Sequence, residues 1–193
     1  ASNIFEYAVN NDLIVKNPMK RTIKPKLQRE KKPFTNFYSK EELNEYLEAC
    51  KKKENPRVYL FFRILAYTGM RKGEALALKW SDVDFANDTI TISKTLSIGE
   101  KNTLHIGTPK TKASYRTIHI DQQTIYYLKE WRKEQRKRLF KLGFNALSDD
   151  QLLFNNKDNG LVRPWLVQSW NRTIAKDTGL KYITVHGFRH THA

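Results

Sequence analysis

The sequence is poor in cysteine, in acidic residues and in long apolar runs. Its single cysteine, Cys50, can form no internal disulfide and has no thiolate companion for a zinc site. That excludes a disulfide scaffold, argues against redox chemistry and fits a reducing, cytoplasmic setting. No stretch approaches the roughly 18 apolar residues of a membrane span, and no membrane partner is expected. The N-terminus lacks an initiating Met and the basic head, apolar stretch and small-residue cleavage site of a secretory signal, so the secreted reading falls too. Internal repeats and low-complexity tracts are also missing.

Present instead is positive charge: Lys and Arg total 35 against 20 Asp and Glu, a net charge of +15. A hydrophobic content of 39% supports a packed core. A surplus this large on an aromatic-rich chain fits a polyanion, because Lys and Arg release condensed counterions from phosphates, and nucleic acid is the leading candidate partner. Two stretches concentrate it. Lys16, Lys20, Arg21, Lys24, Lys26, Arg29, Lys31 and Lys32 face only Glu30, and Pro18, Pro25 and Pro33 interrupt any helix. This reads as an extended basic linker, with Lys24, Lys26, Lys31 and Lys32 laid along phosphates. The second cluster, from Lys129 to Lys141, has helical spacing, and an ordinary solvated face explains it as well as DNA does.

Three parts follow along the chain: residues 1–15 as the last helix of a preceding domain, 16–38 as the basic linker and 39–193 as a larger domain. Ser39 before Glu41 and Glu42 predicts a helix start. Residues 58–68 are apolar nearly all round, as in a buried helix, and Gly69 is placed to end it. A short helix is predicted over 74–78. Strands are predicted over 89–92, 103–106 and 115–120, as one antiparallel meander with Lys110 and Lys112 at the tip between its second and third strands. Helices are predicted over 122–142 and from Pro164 to Gly179. The fold class is therefore mainly α with a small antiparallel β-sheet, an α+β architecture.

Three short stretches carry chemistry: Thr68-Gly69-Met70-Arg71-Lys72-Gly73-Glu74; Thr108-Pro109-Lys110-Thr111-Lys112 leading to Ser114-Tyr115-Arg116; and His186-Gly187-Phe188-Arg189-His190-Thr191-His192. In their order and spacing they resemble the tyrosine recombinase (phage integrase) family. The resemblance covers essentially 39–193, and the N-terminal fragment with its linker resembles the end of the family's core-binding domain. It implies a catalytic-domain fold of integrase type in which Arg71, Lys110, His186 and Arg189 surround one scissile phosphate.

The residue types suit that chemistry. Two guanidinium forks can clamp the non-bridging oxygens of a phosphodiester without losing their protons. A hairpin lysine can protonate the departing 5′ oxygen, a role the resemblance gives to Lys110, with Lys112 able to exchange places with it. His186 can shuttle a proton or bind the phosphate. Lys112 and Arg116 join the expected DNA-binding set. Blander readings stand beside these: Arg71 as an ion-pair partner of Glu74, Lys110 as a turn lysine, Trp131 and Trp170 as core. Glu74, Trp80, Asp82 and Asp84 are expected to serve local structure. His186, His190 and His192 suggest a metal site only weakly, since Arg189 would put a cation among the ligands.

The resemblance further implies strand exchange through a 3′-phosphotyrosyl intermediate without metal or nucleotide cofactor, on paired double-stranded DNA sites bound by a homotetramer. The family's nucleophilic Tyr lies a few dozen residues beyond the His-x-x-Arg pair, and the sequence ends at Ala193. The expectation is thus a fragment of a DNA recombinase or integrase from a mobile genetic element, unable by itself to cleave. A non-catalytic DNA-binding protein of the same fold is the alternative, and an RNA-binding module is disfavoured by the lack of an RNP-like aromatic signature.

Overall fold

The computed structural model describes residues 2–22, 35–53, 55–108 and 114–192. Two compact units divide the chain, Ala1–Phe34 and Thr35–Ala193. In the first, helix α1 (Ser2–Asn10) buries none of its residues. Asn17 caps a 3-10 turn over Pro18–Arg21, accepting from the Met19 amide at 3.0 Å and donating to Glu6 Oε2 at 2.6 Å. The linker expected to be extended from Lys16 onward therefore begins with a helical turn. The physical reason is local: Asn followed by Pro at the first helical position is a capping signal that the proline count alone obscures. Lys24, Lys26, Lys31 and Lys32 lie outside the described residues.

The second unit is mainly helical. Helix α2 (Lys40–Lys51) starts on a capping box, with Ser39 Oγ accepting from the Glu42 amide at 3.2 Å and Glu42 Oε2 accepting from the Ser39 amide at 2.7 Å. Helix α3 (Pro56–Thr68) is buried over nearly its whole length and ends at Gly69, whose φ of +59° suits a residue without a β-carbon. Helix α4 (Lys72–Leu76) follows almost at once. Its Gly73 admits strand backbone: a β-carbon there would lie 2.7 Å from Leu96 O.

Strands β1 (Val83–Asp84), β2 (Thr89–Ile92), β3 (Thr95–Ile98), β4 (Leu104–Gly107) and β5 (Arg116–His119) come next. They form two antiparallel sheets, β1-β2-β5 and β3-β4, where a single meander was expected. The second expected strand pairs Ile106 with Leu96, and the third pairs Ile118 with Ile90. Burial explains the split. Ile90 and Ile92 are fully buried and β5 returns to lie beside them, while Leu96 anchors a separate hairpin over α4.

Helix α5 (Gln122–Lys141) is capped by Asp121, which also pairs with the buried Arg63 of α3 at 2.6 Å. Helices α6 (Pro164–Thr178) and α7 (Gly187–His192) complete the unit. Against α3 pack α2, α5 and α7. The rings of Tyr46, Phe62 and Phe188 meet at centroid distances of 5.1 to 5.3 Å, joining α2, α3 and α7.

Tyr38 closes this aromatic cluster, 5.8 Å from Phe188, and its amide donates to Thr191 Oγ1 at 3.0 Å. Asn36 and Thr184 exchange two hydrogen bonds at 2.8 and 2.9 Å. Residues expected to finish the linker thus fasten onto α7 and its approach, because a Tyr ring that reaches the core outweighs a basic, polar neighbourhood.

Candidate active site

The turn between α3 and α4 builds one wall. Arg71 is the N-cap of α4 in extended conformation, and its amide donates to Glu74 Oε2 at 2.9 Å. Its guanidinium gives one nitrogen, Nη1, to Glu74 Oε1 at 2.9 Å, while the side chain stays 53% exposed. Glu74 itself is buried, at 2% exposure. Arg116, entering from β5, closes on the same carboxylate with Nη2 at 2.8 Å from Oε2 and Nη1 at 3.4 Å from Oε1. Burial pushes the Glu74 carboxyl up, but hydrogen bonds from Arg116 and Arg71 outweigh it and hold the group below the ordinary carboxylate range.

Helix α7 builds the facing wall. Phe188 sinks into the core, and that anchor sets the next residue, Arg189, toward the α3–α4 turn, where Nη1 donates to Gly69 O. The His192 ring lies against the same glycine: a β-carbon on Gly69 would sit 2.7 Å from His192 Cδ2. His186, just before α7, meets His190 edge-on at 5.0 Å between centroids. Burial and then the charges of His190, Arg189 and Arg71 lower the His186 pKa, which keeps its imidazole neutral near pH 7.

Arg71, Arg189 and His186 are therefore neighbours at one edge of the unit. Lys110 and Lys112 lie outside the described residues. Arg116 is spent on Glu74, and Arg71 meets its ion-pair reading and its position beside Arg189 together. Trp131 is core, its indole donating to Leu153 O at 2.8 Å, and Trp170 packs on the core more loosely. Trp80, Asp82 and Asp84 serve local structure: the Trp80 indole donates to Gln135, Asp82 pairs with Lys94, and Asp84 accepts from the Ala86 and Asn87 amides. Among the described residues no group of three His, Cys, Asp or Glu could hold a metal ion. Lys72 is a residue no motif reasoning singled out; it is half-buried next to Arg71, and burial lowers its pKa. Nor does any sequence signal mark the contact of His192 with Gly69.

This assembly of helices, small sheets and converging basic residues has relatives. The sequence pattern of the Phage integrase family matches residues 36–193, and the chain belongs to that family. It is 31% identical over 202 residues to a "Tyrosine recombinase XerC-like" protein of Caldanaerobacter subterraneus subsp. tengcongensis, covering 98% of this chain and 51% of the relative. Over 194 residues it is 29% identical to the ICEBs1 integrase of Bacillus subtilis, covering 99% of this chain and 50% of that protein. The chain thus spans about half the length of these curated relatives. Among solved structures, the Tn1549 transposon integrase in complex with a circular intermediate DNA superposes with a TM-score of 0.74 at 21% identity, over 99% of this chain and 62% of that one. The mainly helical fold with small antiparallel sheets is the fold of these recombinases.

Proposed function

We propose that this chain supplies the phosphate-binding part of a site-specific DNA recombinase or integrase of a mobile element, which breaks and rejoins strands through a 3′-phosphotyrosyl intermediate. The observation that carries the reading is the approach of Arg189 to the Gly69 carbonyl, two residues before Arg71, with His186 in the electrostatic reach of both. Arg71 and Arg189 clamp the non-bridging oxygens, on which charge grows as the nucleophile adds. A neutral His186 accepts or returns a proton at the attacking oxygen. Lys110, with Lys112 as its competitor, delivers the proton to the 5′ oxygen that leaves.

The nucleophile is a tyrosine of the whole protein outside these 193 residues. The shares of its relatives that the chain spans, about half, support this. The hydroxyls of Tyr38 and Tyr46 donate to Lys181 O and Asn171 Oδ1, and that of Tyr59 accepts from Arg63, which engages these three in the fold. DNA bound in the related transposon integrase favours duplex DNA as the substrate. Assembly as a tetramer on paired sites, in the cytoplasm and without cofactor, belongs to the same proposal, as does the role of residues 1–38 in gripping DNA.

The test uses the whole protein on its recombination-site duplex. Arg71→Ala or Arg189→Ala is expected to slow strand cleavage by about 10²–10³-fold, the loss typical of one oxyanion donor. Duplex affinity should stay within about tenfold, since one phosphate contact among many is removed. Cleavage near the normal rate in either variant overturns the assignment.

A further inference from the structure

Glu74 is an odd neighbour for a phosphate clamp. A buried carboxylate beside Arg71 is a rival anion, able to draw the guanidinium into a two-pronged pair and neutralise it. The geometry shows something else. Arg71 lends Glu74 one side-chain nitrogen, whereas Arg116 meets both oxygens with both terminal nitrogens. Exposure follows the same division, 25% for the Arg116 side chain and 53% for Arg71. Counting charges, one carboxylate against two guanidiniums leaves one positive charge over, and it resides on the outward-facing arginine. Arg116 also donates to Ser114 O at 3.2 Å, which ties the start of β5 to the same point.

We propose that Arg116 is a positioning residue: it neutralises Glu74 so that Arg71 keeps both its charge and the free edge of its guanidinium for the scissile phosphate. This rests on the function proposed above and replaces the expectation that Arg116 itself binds DNA. Its partner lies 42 residues earlier in the chain, so the brace exists only once β5 has docked beside α4.

The proposal predicts a charge rescue. Strand cleavage by the whole protein is measured for Arg71→Ala, Arg116→Ala, Arg116→Lys, Glu74→Gln and the double variant Arg116→Ala/Glu74→Gln, alongside duplex affinity and thermal unfolding of each. Arg116→Ala, which leaves Glu74 to claim Arg71, is expected to lose about 10²-fold in cleavage rate, the scale of a misplaced catalytic group. Arg116→Lys restores the charge without the fork, and the double variant removes the rival anion. Both should return to within about tenfold of the parent, the cost of one tenfold step in barrier height being small beside the loss. Affinity for the duplex should change by less than about threefold in the Arg116 and Glu74 variants, because none of them removes a phosphate contact.

A folded Arg116→Ala protein that cleaves normally overturns the proposal. So does a double variant as slow as Arg116→Ala, the result for an Arg116 that binds phosphate directly or only supports the fold. Should Arg116→Ala fail to fold, the double variant, free of the unpaired buried carboxylate, decides the matter on its own: active supports, inactive refutes. Normal cleavage by Arg71→Ala would instead overturn the underlying function, and so separates the two failures.

Discussion

Two regions of the second unit carry clustered cations, and they use them differently. Along α5 part of the charge is answered where it stands: Lys133 pairs with Glu130 at 2.8 Å, Arg132 pairs with Asp149, and Arg132 and Arg138 lie over the rings of Trp80 and Trp131 at 5.2 and 5.5 Å. At the edge formed by α4 and α7, Arg71 and Arg116 share one carboxylate, and Arg189 meets a backbone carbonyl. Among the described residues no carboxylate pairs with Arg189. Formal charge is therefore a poor guide to charge available for a ligand. Arg132, Lys133 and Arg138 of α5 are each held by a carboxylate or a tryptophan ring, whereas two arginines share one carboxylate at the α4–α7 edge.

The strongest way to break this contrast is to remove the anchor under one side. Phe188 is fully buried among Tyr38, Tyr46 and Phe62, so Phe188→Ala is expected to cost about 3–5 kcal/mol in urea unfolding. Phe140, 82% exposed on α5, should change stability by less than about 0.5 kcal/mol when replaced by Ala. Equal costs would show that both cation clusters rest on the core alike.

Next in size is the salt dependence of duplex binding. Arg189→Ala should flatten the plot of log affinity against log salt by about 0.9, one phosphate contact, while Arg132→Ala and Lys133→Ala leave the slope unchanged because their charges are already paired. A flattened slope for the α5 variants would erase the distinction.

The smallest effect is a titration. By NMR the His186 ring should lose its proton below the ordinary histidine value of about 6.5, and Arg189→Ala should raise that midpoint by removing one of the nearby positive charges. The sign follows from linkage: folded His186 binds protons less readily than unfolded, so its contribution to stability is present above the ordinary value and is lost as pH falls through the lowered one. An unmoved midpoint in the variant would place Arg189 too far away to matter.

Much of this was legible in the sequence, and the illegible part has a common cause. Ser39, Gly69, Pro164 and Gly179 mark helix ends through short-range chemistry, and the structure follows them. Arg71, His186 and Arg189 lie in short stretches of the chain, and the structure brings those stretches together at one edge. The sheets were misjudged because no strand was expected over Thr95–Ile98, the segment that β4 pairs with, and partner choice among short strands depends on burial elsewhere. Glu74 was assigned to local structure, which its bond to the Arg71 amide satisfies. The second arginine on it comes from β5, and no periodicity in the chain connects the two.

The fastening of Asn36 and Tyr38 onto α7 has a kinetic side. Those contacts span 148 and 153 residues, and the Arg189–Gly69 bond spans 120. Closing loops of that size is an entropic barrier that helix formation and neighbouring helix pairs do not face. Helix α2 meets α6 across a comparable separation, 125 residues for the Tyr46–Asn171 bond, so the whole second unit depends on its two ends coming together.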